Sequence, residues 1–181
     1  GVDWNGEASQ VARFEQLCKL MGDDERYSVN DLGCGYGALL DYLRERHGDR
    51  VHYRGVDVSS EMIAAAEKRH GSDPSARFVC ASAPDEVADY GVASGIFNVR
   101  QQRPAAEWRD YIEGTLRELD RTSRKGFAFN CLTSYSDEDR KRDYLFYADP
   151  LYFFDLCKRR YSRNVALLHD YELYEFTLIV R

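Results

Sequence analysis

The run Val29-Asn30-Asp31-Leu32-Gly33-Cys34-Gly35-Tyr36-Gly37 admits few backbone courses. Before it, Tyr27 to Leu32 reads as a short strand. After it, Ala38 to Arg46 reads as a helix with Leu39, Leu40 and Leu43 on one side. Glycines are needed at such a strand-to-helix turn because the chain must reverse tightly and let a ligand approach the backbone. Gly33, Gly35 and Ala38 also satisfy the G-x-G-x-x-G/A pattern of dinucleotide sites, so the glycines alone leave the ligand open.

Asp31 separates the readings. It stands two residues before Gly33, where a carboxylate would repel a pyrophosphate. The same carboxylate would favour S-adenosylmethionine (SAM), which carries an ammonium and a sulfonium. Asp57 ends the second predicted strand, Val51 to Val58, about 20–25 residues after the glycines, where a carboxylate accepts ribose hydroxyls. A structural role is the plainer alternative for each: Asp31 as a cap of the turn, Asp57 as a cap before Ser59. Val58 and Met62 are placed to flank an adenine. Cys34 reads as a small residue filling the turn, with a nucleophilic thiol as the sharper alternative.

The remaining periodicities alternate. A helix spans 8–21, with Val11, Phe14, Leu17, Cys18 and Met21 at helical spacing. Ser59 or Ser60 caps a helix through Met62 and Ala66. Strands follow at Arg77 to Cys80, Tyr90 to Phe97 and Gly126 to Leu132, and Pro104 precedes an amphipathic helix through Trp108, Ile112, Leu116 and Leu119. Residues 133–149 read as an inserted loop or short helix, and Pro150 to Arg159 as a helix. Val165 to His169 and Tyr174 to Val180 form a closing antiparallel pair. The whole is one α/β domain over 1–181: a mostly parallel sheet with helices on both faces and a reversed strand at the end. Residues 1–26 form a lead-in and first helix, and 133–160 an insertion before the final hairpin.

With these motifs in place, the chain from about Val29 onward resembles the class I SAM-dependent methyltransferase family. That family has a Rossmann-like seven-stranded sheet and an hh(D/E)hGxGxG turn. The resemblance implies SAM as cofactor, S-adenosylhomocysteine (SAH) as product, and Asp31, Gly33, Cys34, Gly35, Gly37 and Asp57 as its seat. It implies an adenine contact after the third strand, at Ser82 and the Ala83 N–H. Many members carry Asp where this chain has Ser82. Backbone carbonyls around Ser94 and Gly95 should face the methionine end. Trp4 in the lead-in could close over the cofactor, and Arg13 could pair with its carboxylate.

Methyl transfer needs position and exclusion of water more than a catalytic triad. Acceptor groups should follow strands four and five: Asn98 and Arg100, then Tyr135, Asp149, Tyr152 and Phe153, with His169 as a candidate base. No N/D-P-P-Y/F motif follows strand four, where Asn98-Val99-Arg100 stands instead. With the net charge of −6, this argues against a nucleic-acid target and for a small-molecule acceptor. The basic clusters 140–142 and 158–160 read as solvated helix faces, the second with contact to an anionic substrate or partner as the alternative. Seven aromatics from Tyr135 to Phe154 could wall an acceptor pocket, form a homodimer interface, or simply pack.

The five cysteines include no CxxC pair, the histidines have no zinc-ligand spacing, and no metal is expected. Scattered thiols suggest a reducing cytoplasm. No apolar run approaches the ~20 residues needed to cross a bilayer, so no membrane partner is expected. A Rossmann-type NAD(P)-dependent oxidoreductase and a non-catalytic SAM-binding domain remain the alternatives.

Overall fold

The computed structural model describes residues 6–181. Trp4 therefore lies outside the described residues, and its expected role with it. Seven strands form one sheet in the order β3-β2-β1-β4-β5-β7-β6. In chain order the elements are α1 (Gly6–Leu17), β1 (Tyr27–Leu32), α2 (Ala38–His47), β2 (Val51–Asp57), α3 (Ser60–His70), β3 (Ala76–Cys80) and β4 (Ala88–Ala93). There follow α4 (Ala105–Arg121), β5 (Ser123–Leu132), α5 (Pro150–Arg160), β6 (Val165–Leu168) and β7 (Glu175–Val180). β1 to β5 pair in parallel; β7 runs antiparallel to both β5 and β6.

Two apolar layers cover the sheet. On one face Leu32, Val56, Phe127, Phe129 and Leu178 meet α4 and α5 through Trp108, Ile112, Leu116 and Phe153. On the other, Val29, Tyr53, Val92 and Ile179 meet α1 and α2 through Phe14, Leu17, Leu39 and Leu43. The spacing of Trp108, Ile112, Leu116 and Leu119 is that of one helix face, and all four are buried. Cutting Ile112 or Leu116 to Ala would cost ~2–5 kcal/mol.

Local chemistry sets the helix starts. Ser59 accepts the Met62 N–H at 3.2 Å and so caps α3. Asp149 accepts the Leu151 N–H at 2.9 Å ahead of Pro150, which caps α5. Asp149, expected near the acceptor, thus works as a cap. Lys158, Arg159 and Arg160 occupy the last turn of α5, where cations offset the helix dipole.

The fourth strand is shorter than the sequence implies. It stops at Ala93, because Gly95 turns the chain with φ 74° and gives its N–H to the Asn130 side chain at 2.7 Å. Residues 133–149 form no long helix, only a short 3-10 turn at Glu138–Arg140. The segment is pinned by bridges from Val99 to Leu145 and from Thr133 to Ala148. The aromatics from 135 to 154 divide: Phe146 and Phe153 enter the core, whereas Tyr135 and Tyr144 are exposed. Both of the first two pack in the core and also border one surface groove. No helix of the described residues is long and apolar enough to cross a membrane.

Candidate active site

The site lies at the C-terminal ends of β1, β2 and β4. The N–H groups of Gly33 and Cys34 both donate to the Val56 carbonyl, at 2.7 and 3.1 Å, which folds the turn back onto β2. Gly33 has φ 77°, and a Cβ placed there would meet Ile96 Cγ2 at 2.1 Å. Only glycine fits both restrictions. Asp57 ties the turn to the next helix. Its Oδ2 accepts the Gly35 N–H and its Oδ1 accepts the Ser59 N–H, each at 2.9 Å. A carboxylate offers about four lone-pair sites, so each oxygen retains capacity toward the cleft.

Asp31 is 3% exposed and accepts the Tyr53 hydroxyl at 2.5 Å. Burial lifts its carboxyl to about 7; the Tyr53 bond pulls the other way, and the Asp57 charge adds to the rise. Asp31 is thus not a cap of the turn, since its partner is a side chain on β2. The Cys34 thiol is buried and pushed up by burial and by the charges of Asp31 and Asp57. That opposes the thiolate a nucleophile requires and leaves the packing role.

Two recesses meet here. The larger, about 420 Å³, is lined by Gln10, Arg13 and Phe14 of α1 and by Asp31, Gly33, Cys34, Gly35, Met62, Ser94, Gly95 and Asn98. The second, about 320 Å³, is lined by Asp57, Val58, Ala81, Ser82, Ile96, Tyr111 and Thr115. They share Gly33, Ser94 and Gly95. A hollow of about 640 Å³ between α1 and α2 is larger, but its walls are helix side chains such as Glu7, Glu45, Arg46 and Arg69. Size does not single out the site; converging backbone and carboxylates do.

Most of the expected cofactor residues come together, with exceptions. Met62 lies in the larger recess beside Gly35, away from Val58 and Ser82. Gly37 heads α2 and Ala83 follows Ser82, yet neither lines a recess. Among the described residues, no cluster of His, Cys, Asp and Glu could hold a metal ion.

Of the acceptor candidates, Arg100, Asp149, Tyr152 and Phe153 line one groove apart from both recesses, while Asn98, Tyr135 and His169 lie elsewhere. Asn98 lines the larger recess while its Oδ1 accepts the Leu132 N–H at 3.0 Å and its carbonyl accepts the Phe146 N–H at 2.8 Å. Arg100 donates to the carbonyls of Leu145 and Arg103, which makes it a loop brace. His169 bonds Thr133 Oγ1 at 2.9 Å and packs near Tyr135 and Phe176, outside both recesses. Tyr152 donates to Glu113 at 2.7 Å and lines a separate groove of about 350 Å³ with Arg109 and Tyr147. That groove shares no lining residue with the two recesses.

Three residues went unnoticed in the sequence. Asn130, 1% exposed on β5, accepts the Gly95 N–H and donates to Ser94 Oγ at 3.3 Å. Tyr53 holds Asp31, and Glu175 holds Arg13. Asn130 and Glu175 did leave a signal, each a polar residue within or opening an apolar strand.

Comparison with known proteins gives the family and the fold. Residues 29–126 match the family model described as "Methyltransferase domain". Over 163 residues the chain is 58% identical to a relative named "Putative methyltransferase Rv1506c" from Mycobacterium tuberculosis, covering 90% of this chain and 98% of the relative. It is 30% identical over 112 residues to the malonyl-[acyl-carrier protein] O-methyltransferase of Pectobacterium atrosepticum, covering 62% of this chain but 40% of that enzyme. Among solved structures, a DhpI-SAM-HEP complex superposes with a TM-score of 0.68 at 16% identity, covering 97% of this chain and 86% of that one, a likeness of fold. The chain belongs to the methyltransferase domain family and is an enzyme of the class I SAM-dependent type.

Proposed function

We propose that the chain methylates a small-molecule acceptor on oxygen, nitrogen or carbon, with one SAM laid across the two recesses. The observation that carries this reading is the larger recess itself. It sets a buried carboxylate, Asp31, and a guanidinium, Arg13, around the glycine turn. An amino acid's ammonium and carboxylate need that pair of opposite charges, whereas a pyrophosphate does not. Bound SAM supplies an electrophilic methyl on a sulfonium.

The chain's own groups do the rest. Asp31 holds the ammonium, and Asp57 accepts ribose hydroxyls through its remaining lone pairs. Val58 covers one side of the adenine, while the Ser82 hydroxyl stands at the edge of the same recess. The backbone at Ser94 and Gly95, braced by Asn130, lies at the junction where the sulfur would sit. Asn98 and Gln10 border the larger recess and offer amides to an acceptor. Positioning alone contributes to such a displacement, since a near-attack geometry removes part of the entropic barrier.

Charge supports a small acceptor over a nucleic acid. Three of the six basic side chains of the two clusters are held in ion pairs: Lys141 with Glu138, Arg159 with Asp155 and Arg160 with Glu113. Five unpaired cysteines fit a reducing, cytoplasmic setting. The Pectobacterium relative's name places a carrier-bound carboxylic acid among the acceptors to try. The test is transfer of labelled methyl from SAM to a panel of phenols, amines, carboxylic acids and acyl-carrier thioesters. Turnover on one small-molecule class is expected. SAM binding without turnover on any would favour a non-catalytic domain instead.

A further inference from the structure

Arg13 on α1 and Glu175 at the start of β7 are 162 residues apart, yet Arg13 Nε donates to Glu175 Oε2 at 2.8 Å. Glu175 is 2% exposed, and its second oxygen, Oε1, has no hydrogen-bond partner among the described residues. As a stabilising device this is poor. A buried carboxylate loses its hydration, and one contact from a partly exposed arginine returns only part of that loss. An apolar side chain would pack there at lower cost, as Ile179 shows on the same face of the strand with nearly full burial.

What the pair does supply is orientation. A guanidinium is planar, so pinning it through Nε fixes the plane of the opposite edge, Nη1 and Nη2. Arg13 lines the larger recess together with Asp31. Among the described residues its only side-chain hydrogen bond is the Nε bond to Glu175. That leaves a two-nitrogen fork, the shape that meets a carboxylate with two parallel bonds. Tyr171 closes the cluster from the hairpin side: its hydroxyl bonds Thr177 Oγ1 at 2.7 Å, and it feels the charges of Glu175 and Arg13.

We infer that Glu175 is a positioning residue for the cofactor: through Arg13 it aims a guanidinium fork at the amino-acid carboxylate, and it couples the seating of α1 on β7 to filling of the recess. This rests on the reading that the larger recess takes the amino-acid end of SAM. Glu175 itself does not touch the cofactor. Binding in the recess should therefore report on a residue from the far end of the chain, and only for ligands that carry a carboxylate.

The test is calorimetric titration of the wild type, Glu175→Gln, Arg13→Gln and the double variant with two ligands. One is SAH; the other is 5′-methylthioadenosine, which keeps the adenosine and sulfur but lacks the amino acid. Glu175→Gln should weaken SAH by about tenfold, the scale of one charge-assisted hydrogen bond, and leave 5′-methylthioadenosine unchanged. In the Arg13→Gln background it should add nothing. Should Glu175→Gln fail to fold, Arg13→Lys serves: a point charge without the fork should lose SAH affinity and keep that for 5′-methylthioadenosine. Equal weakening of both ligands by Glu175→Gln would show a merely structural role and overturn the inference. Loss of SAH in Arg13→Gln, with none in Glu175→Gln, would overturn the positioning role while the recess reading stands. SAH affinity unchanged in both Arg13 variants would instead bring down the reading of the recess.

Discussion

The half of the cleft on β1, β2 and α3 is held by contacts near in sequence, and the half facing α1, β4 and β5 by contacts far apart. In the first, Asp57 binds the N–H of Ser59 two residues on and that of Gly35 twenty-two residues back. In the second, Asn130 reaches 35 residues to Gly95, Asn98 reaches 34 to Leu132, and Arg13 reaches 162 to Glu175. Sheet order explains the difference. β1 and β2 are joined through the short α2, so their turn and cap form one unit, whereas β4 and β5, though also consecutive and adjacent, are separated by the longer α4, and β7 follows only after α5 and β6. The adenosine half should therefore behave as a rigid cradle set by backbone, and the other half as an adjustable wall set by side chains.

The sharpest way to break that contrast is Gly33→Val. Its Cβ meets Ile96 in a left-handed backbone, so we expect a loss of at least ~3 kcal/mol in stability, with SAH binding abolished. Thermal melts and calorimetry check it, and near-native binding would show the turn to be softer than its geometry implies. Next is Asp57→Ala, which should weaken SAH by ~1.5–3 kcal/mol, the range for bonds to a charged group. Circular dichroism must show an intact fold. Unchanged affinity would leave Asp57 as only a brace between Gly35 and Ser59.

The pH dependence tests the carboxylate at the junction of the halves. Asp31 is raised to about 7 in the free protein, and the ammonium of the ligand needs it ionised. Binding then releases a proton below pH 7, and SAH affinity should fall by up to about tenfold per pH unit there. Asp31→Asn should flatten the profile. The sign for stability is opposite. An acid with a raised folded pKa holds a proton that the unfolded chain has released, so ligand-free stability should decline as pH rises from about 4 through 7. Denaturant midpoints across that range check this.

On the side-chain wall, Asn130→Ala leaves the Gly95 N–H without its partner and should cost ~1–2 kcal/mol in stability. Its mark should be weakened binding of SAH with affinity for 5′-methylthioadenosine unchanged, read by calorimetry. Tyr152→Phe should have the smallest effect, below ~0.5 kcal/mol, because it removes one exposed bond to Glu113. SAH affinity and sedimentation should stay as in the wild type. A conversion from dimer to monomer would instead make the α5 face an interface.

The same contrast explains what was legible in the sequence. The glycine turn, Asp31 and Asp57 stand out because backbone geometry demands those residue types at a near-fixed spacing. The strand and helix order was equally plain from periodicity, down to the closing hairpin. The wall was not legible. Nothing near Asn130 in sequence points to Gly95, and Glu175 looks like any strand-edge acid until β7 is laid against α1. Asn98 sat at the expected place but mainly braces its loop, and Tyr152 and His169 have partners outside both recesses. The aromatic run from Tyr135 to Phe154 stayed open on composition alone, since core phenylalanines and exposed tyrosines read alike without their burial; Phe146, Tyr147, Tyr152 and Phe153 share one groove.

The central claim is that one SAM spans both recesses through the Gly33, Ser94 and Gly95 junction. A crystal structure with SAH tests it most directly. The account predicts the ribose on Asp57, the adenine between Val58 and Ser82, and the amino acid between Asp31 and Arg13. An adenine seated in the larger recess, or an amino-acid end turned away from Asp31 toward solvent, would contradict it.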